Sequence, residues 1–264
     1  MSTPSALLQV MIAAARKAGR KLARDFGEVS ELQVSKKGPA DFVSAADTKS
    51  EEVLVEELTK ARPGYGFLAE ERGVVEGTDK THTWIIDPLD GTTNFLHGLP
   101  HFAITVALER EGVVVAGVTY NPALNELFWA EKGRGAFLND KRLRVAGRRT
   151  LIESVLATGI PFAGRPGHAQ FLKELHQVSQ RVAGVRRFGS AALDLAYVAA
   201  GRFDGYWERG LQPWDLAAGG LLVLEAGGAV SGADGEAFVL ADGSVCASSP
   251  ELAPLILERL KAAS

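Results

Sequence analysis

Leu8, Met11, Ile12, Ala15, Ala18, Leu22 and Phe26 recur every three or four residues along the start of the chain. That period lays one apolar face along an α-helix, and Gly27 stands where a glycine closes one. A second helix is predicted from about Asp47, where Thr48 and Glu51 have capping-box spacing ahead of Val53, Val55 and Leu58. The period then changes. Gly66-Phe67-Leu68-Ala69 and Thr83-Trp84-Ile85-Ile86 have the length and composition of short buried strands, and they end at Glu70 and Asp87. Phe102 to Leu108 and Val113 to Tyr120 predict a hairpin around Glu111-Gly112, and Glu126 to Ala130 a further strand. The first half thus reads as two helices followed by an antiparallel-rich sheet.

The second half alternates. Strands are predicted at Val155-Leu156-Ala157, Val185 to Phe188, Phe203 to Trp207 and from Ala229-Val230 onward. Helices are predicted at His168 to Val182, Ala191 to Ala200 and Leu216 to Ala226. Such alternation belongs to an α/β class. Between the halves, Lys141, Arg142, Arg144, Arg148 and Arg149 crowd a short polar stretch. It sets the expected subdomains at residues 1–142 and 143–264.

Composition adds exclusions. A chain of 264 residues can bury a large core. A net charge of -3 gives no global basic field to draw nucleic acid or membrane. Cys246 is the only cysteine, so no intrachain disulfide forms and a reducing, cytoplasmic setting is expected. No apolar run is long enough to span a bilayer. Ser5 to Phe26 is basic, with Asp25 as the first acid, a composition shared with organelle transit peptides. The helical apolar stripe favours an ordinary first helix instead.

Candidate chemistry concentrates in Trp84-Ile85-Ile86-Asp87-Pro88-Leu89-Asp90-Gly91-Thr92-Thr93-Asn94-Phe95. An apolar strand delivers Asp87, Pro88 turns the chain, and Asp90 follows three residues on. Two carboxylates on one tight turn suit hard divalent cations. A helix opening at Gly91 and Thr92 offers free N–H groups to a phosphate. Taken alone, Asp-Pro and Asp-Gly are ordinary turn dipeptides. Further acids shift the balance: Glu70 ends a buried strand as Asp87 does, and Asp215 opens an apolar helix after Pro213 and Trp214. Asp47 and Asp215 also suit helix starts for purely local reasons, and Glu71 reads as a solvated turn acid. No zinc spacing joins the five histidines, and no Gly-x-Ser-x-Gly elbow surrounds Ser190.

The segment Asp87-Pro-Leu-Asp90-Gly-Thr-Thr-Asn94, with Trp214-Asp215-Leu-Ala-Ala-Gly219, resembles the paired signatures of the inositol monophosphatase family. Lys36 with Asp41-Phe-Val-Ser-Ala-Ala-Asp47, Leu68-Ala-Glu70-Glu71, Gly133 to Asn139, Gly189-Ser190-Ala191-Ala192 and Tyr206-Trp-Glu208 add to the likeness, which covers nearly the whole chain. The resemblance implies a layered α-β-α-β-α sandwich and hydrolysis of myo-inositol 1-phosphate, with Mg2+, by a metal-activated water. It implies Glu70, Asp87 and the Leu89 carbonyl as ligands of one magnesium, and Asp87, Asp90 and Asp215 as ligands of a second. Catalytic residues would be Glu70, Asp47 and Thr92, with Thr92, backed by Asp47, orienting the attacking water. Gly91 and Thr92 would hold the phosphate. Gly189, Ser190, Ala191 and Glu208 would face the polyol, with Asp90 and Asp215 in reach of its hydroxyls. Lithium sensitivity and a homodimer are further implications.

Two alternatives stand beside this reading. Relatives with the same acids act on histidinol phosphate, fructose bisphosphate or phosphoadenosine phosphate. The cations at 141–149 and at Arg181, Arg186 and Arg187 could instead contact RNA or the transcription machinery. A solvated surface is the simpler account of those cations, and no nucleic-acid or membrane partner is expected.

Overall fold

The apolar stripe at the N-terminus forms helix α1 (Ala6–Gly27), with Leu8, Met11, Ala15, Ala18 and Leu22 fully buried. The computed structural model describes residues 3–27, 34–38 and 41–263. The side chains of Lys36 and of Asp41 to Ser44, part of the family resemblance, lie outside the described set. A short antiparallel pair, β1 (Val34–Gly38) and β2 (Asp41–Ser44), leads into α2 (Ala45–Ala61). This helix begins two residues before Asp47. The expected capping box does not organise it, because the Glu51 carboxylate faces elsewhere: it accepts from the Glu71 N–H at 2.8 Å and Arg72 Nε at 2.9 Å.

The large sheet comprises β3 (Gly66–Ala69), β4 (Gly73–Val75), β5 (His82–Asp90), β6 (Ala103–Arg110), β7 (Val113–Asn121), β8 (Glu126–Glu131), β9 (Gly135–Leu138) and β10 (Lys141–Arg142), with α3 (Thr92–Leu96) between β5 and β6. Its order is β10-β9-β8-β7-β6-β5-β3-β4. The expected hairpin turns at Glu111-Gly112. Only the β3–β5 pair is parallel, since β4 folds back on the outer edge of β3 and the chain must cross to reach β5. Parallel pairing sets the carboxyl ends of β3 and β5 side by side, which brings Glu70 next to Asp87. The cation-rich stretch after Asn139 contributes the edge strand β10 before it leaves the sheet.

The small sheet contains β11 (Val155–Thr158), β12 (Gly184–Arg186), β13 (Gly205–Arg209), β14 (Ala229–Ser231) and β15 (Ser244–Ser248), ordered β12-β11-β13-β15-β14. Helices α4 (His168–Ser179), α5 (Ala191–Ala199), α6 (Pro213–Glu225) and α7 (Ala253–Lys261) accompany it. β11 runs parallel to both β12 and β13, so Gly159 emerges beside Glu208.

Five layers result. α1 and α2 cover one face of the large sheet, α5 and α6 lie between the sheets, and α4 and α7 cover the far face of the small one. Alternation along each strand feeds these layers. Trp84 and Ile86 pack with Leu8 and Met11, whereas Ile85 packs with Ala217 and Ala218 of α6. On β13, Tyr206 joins the central layer and Trp207 the outer one, beside Val178, Ile256 and Leu260. Burying both faces of both sheets explains why their strands read as apolar runs more than as clean alternation.

Candidate active site

A β-bulge shapes the centre. Asp87 pairs with Thr105 and Asp90 with Ala103, so β5 carries one more residue than β6 across this interval. The surplus residue bends the strand. The Asp87 carboxylate closes the bend by accepting from the Leu89 N–H at 2.8 Å, and Ser50 Oγ donates to the Pro88 carbonyl at 2.9 Å. Gly91 follows with φ 88°, a left-handed conformation that L side chains rarely adopt. A Cβ there would also stand 3.0 Å from the His101 carbonyl oxygen.

Two elements bring three acids together. Asp87 and Asp90 come from the end of β5 and Asp215 from the first turn of α6, and each offers a carboxylate oxygen within 4.8 Å of the others. Asp215 also caps its own helix by accepting from the Gln212 N–H at 2.7 Å. Asp90 Oδ2 accepts from Ser190 Oγ at 2.6 Å and from the Ala192 N–H at 2.8 Å, which ties the start of α5 to the cluster. Glu70 lines the same cavity and shares a side-chain hydrogen bond with Asp87.

Burial holds Asp87, Asp90 and Asp215 above their ordinary range, because a charged carboxylate loses its hydration. Asp87 is raised by burial first and then by Glu70, Asp90 and Asp215. Asp215 is raised by burial and next by Asp90. Asp90 is pushed up to about 6 by burial, against the opposing pull of the Ser190 and Ala192 donors. Crowded oxygen donors with mutual repulsion are a poor resting state for the protein and a good donor set for a hard divalent cation. The residues present therefore fit such an ion.

The cavity of about 520 Å³ extends from these acids to Gly189, Ser190, Ala191 and Glu208. Gly91, Thr92, Thr93 and Leu89 form part of its wall. Thr92 Oγ1 lies 3.0 Å from Asp47 Oδ1 and 3.1 Å from the Leu89 carbonyl oxygen. A hydroxyl has one proton to give, so these acceptors compete for it and the Thr92 lone pairs stay available. Asp47 is buried in the first turn of α2.

A model of the inositol monophosphatase family matches residues 3–264. The chain belongs to the inositol monophosphatase family. It is similar to the inositol-1-monophosphatase of Caulobacter vibrioides, 69% identical over 256 residues that span 96% of this chain and 100% of that one. It is also similar to Nus factor SuhB of Pasteurella multocida, 44% identical over 97% of this chain and 96% of that one. Among solved structures, the extragenic suppressor protein suhB of Bartonella henselae superposes with a TM-score of 0.95 at 55% identity, covering 97% of this chain and 99% of that chain. As a member of the inositol monophosphatase family, the chain is a metal-dependent phosphatase with the layered fold that its sequence implied.

All twelve residues expected at an inositol monophosphatase site lie in or against this one cavity. Asp47 is set behind Thr92, and the Ser190 hydroxyl is directed at Asp90. Sequence reasoning missed several supporting residues. Asn94 Nδ2 donates to the carbonyls of both His101 and Phe188 at 2.7 Å, fastening the loop before Gly189 to α3. Glu51 fixes the turn that carries Glu70. Their partners, mostly backbone groups, stand at separations of 7 to 94 residues that follow no period, so spacing carries no trace of them; Asn94 was visible only as a letter of the motif.

Proposed function

We propose that this chain hydrolyses inositol monophosphate, with myo-inositol 1-phosphate as substrate and Mg2+ as the bound ion. The observation that carries the reading is the joining, in one cavity, of the three-carboxylate cluster with Glu208, an acceptor suited to a substrate hydroxyl. The name of the Caulobacter relative supports the same substrate. Asp87, Asp90, Asp215, Glu70 and the Leu89 carbonyl would hold divalent cations, which would supply positive charge against the phosphoryl oxygens. Gly91 and Thr92 N–H groups orient the phosphate at the start of α3. Thr92 Oγ1 donates a hydrogen bond to Asp47 and can accept one from the attacking water, which orients it. Gly189, Ser190, Ala191 and Glu208 bound the polyol end of the cavity, with Asp90 and Asp215 at its other side. Phosphoryl transfer asks mainly for positioning and charge stabilisation, and this arrangement provides both.

Lithium inhibition through displacement of one magnesium, a homodimer, a cytoplasmic setting and subdomains at 1–142 and 143–264 belong to the same proposal. Among the described residues no helix is long and apolar enough to cross a membrane.

The test is phosphate release from a panel of esters: inositol 1-phosphate, glycerol 2-phosphate, histidinol phosphate, fructose bisphosphate and phosphoadenosine phosphate. Inositol 1-phosphate should give the highest kcat/KM and require added magnesium. Asp90→Asn should lower kcat by about 100-fold or more, in line with the loss of one preorganised charge at a reacting centre, with the fold kept intact by circular dichroism. Activity that persists in chelator, or in Asp90→Asn, rejects the metal assignment; a different best ester rejects the substrate.

A further inference from the structure

Glu208 is held from two sides that nothing in the reaction requires by itself. Alternation along β13 sets Tyr206 and Glu208 on one face, and the Tyr206 hydroxyl donates to Glu208 Oε2. Tyr206 is fully buried in the central layer, among α5, α6 and the small sheet. Its ring is thus immobile and its hydroxyl has a fixed position. From the other side comes Gly159, which leaves β11 beside Glu208. A Cβ at Gly159 would lie 1.9 Å from the Glu208 carboxyl carbon, in space the carboxyl group already fills. Thr158 Oγ1 donates to the Trp207 carbonyl at 2.7 Å and locks the two strand ends together. Glu208 Oε1 receives no hydrogen bond from the described residues, and Glu208 lines the cavity.

We propose that Tyr206 and Gly159 are positioning residues that hold Glu208 as a single-oxygen acceptor for a substrate hydroxyl, and so set the preference for polyol phosphates over esters without hydroxyls. This rests on the reading of Glu208 as the polyol contact. Tyr206 occupies Oε2, Gly159 admits the carboxyl group against the backbone, and Oε1 is left for the ligand. A preorganised acceptor spends no ordering entropy when the substrate arrives. A glutamate free to rotate would contact solvent or the neighbouring acids instead, and would discriminate less.

The experiment compares inositol 1-phosphate with 4-nitrophenyl phosphate, which has no alcohol hydroxyl, under saturating magnesium. Glu208→Gln tests the underlying reading: kcat/KM for inositol 1-phosphate should fall about ten- to a hundredfold, the range for one hydrogen bond to a charged group, with 4-nitrophenyl phosphate changed by less than about threefold. Tyr206→Phe keeps the ring and removes only the hydroxyl. It should lower kcat/KM for inositol 1-phosphate about fivefold to tenfold, mainly through KM, and spare the aryl ester. Gly159→Ala should show the same selectivity. On a Glu208→Gln background, Tyr206→Phe should add almost nothing, since coupled residues are not additive. The aryl-ester rate doubles as the test of an intact site. If Glu208→Gln is selective and Tyr206→Phe leaves inositol 1-phosphate untouched, or if Tyr206→Phe harms both esters alike, the positioning role is overturned alone. If Glu208→Gln itself harms both esters alike or neither, the polyol contact is wrong and the positioning role falls with it.

Discussion

Asp194 shows at the scale of one residue what the chemistry around Asp90 costs. It sits on α5, 1% exposed, and its Oδ1 has no hydrogen-bond partner. His101 Nε2, equally unpartnered, is 3.7 Å away, too far for a hydrogen bond. Burial first, and then repulsion from Asp90, raise the Asp194 carboxyl well above its ordinary range, with Arg187 opposing. A folded-state pKa above the unfolded one contributes stability that is complete below about pH 4 and is lost as pH rises through the folded value. Asp194→Asn removes the charge and keeps the shape. Thermal melts should show a gain of about 2–4 °C at pH 8, what roughly 1 kcal/mol does in a protein of this size, shrinking toward zero near pH 4. A loss at pH 8 would mean that the ionised carboxylate is needed in the fold. The sequence marked the acids of the centre because each ends a strand or opens a helix, with Pro88 and Gly91 beside Asp87 and Asp90. Asp194 lies mid-way in an apolar helical run, where one acid reads as a solvated face, and nothing in the spacing tells that α5 is covered on both sides.

At the scale of elements, the bulge in β5 and the turn after β3 decide where the ligating oxygens stand. The Glu51 carboxylate, 2% exposed, braces that turn through the Glu71 N–H and Arg72 Nε. Glu51→Ala should therefore loosen Glu70 without touching a ligand. The magnesium concentration for half activation should rise about tenfold, the lower end of what outer partners of metal ligands contribute, with kcat at saturating metal nearly kept. A magnesium activation curve reads this directly; a lower melting temperature with an unmoved midpoint would assign Glu51 to stability alone. Elements with a long period or a marked turn were legible: α1, the Glu111-Gly112 hairpin, α5 and α6 lie where the pattern placed them, within a few residues. β13 lies two residues later than expected, at Gly205–Arg209, because its pairing with β15 runs through Glu208 and Arg209 and is blind to the apolar edge of the run. Strand β9, short and glycine-led, and β15, built of Ser, Val, Cys and Ala, have no period to read; β9 is defined by its hairpin neighbours β8 and β10, and β15 by β13, distant in sequence, and by β14.

At the scale of the molecule, the site lies where the carboxyl ends of β3 and β5 in one sheet meet the helix starts of the central layer and the ends of β11 and β13 in the other. Local pattern gave the α/β alternation of the second half but not the stacking of five layers, since a strand buried on both faces looks the same in any of them. Only the family resemblance supplied the order. This placement makes folding and metal binding one equilibrium. Asp87 and Asp215 are raised well above their ordinary range by burial, and Asp90 to about 6 by the same cause. Without metal, their contribution to stability is complete below about pH 4 and is withdrawn as pH climbs through 6 and beyond. A divalent cation binds the deprotonated carboxylates of the folded state and opposes that loss. Calorimetric melts at pH 5, 6.5 and 8, in chelator and in excess magnesium, should show a magnesium increment that is small at pH 5 and largest at pH 8. Asp90→Asn should shrink the increment and flatten its rise with pH. At pH 5 magnesium must displace protons from the cluster, while at pH 8 it relieves repulsion that the folded chain already bears. An increment equal at all three pH values, or largest at pH 5, would place the ion away from Asp87, Asp90 and Asp215.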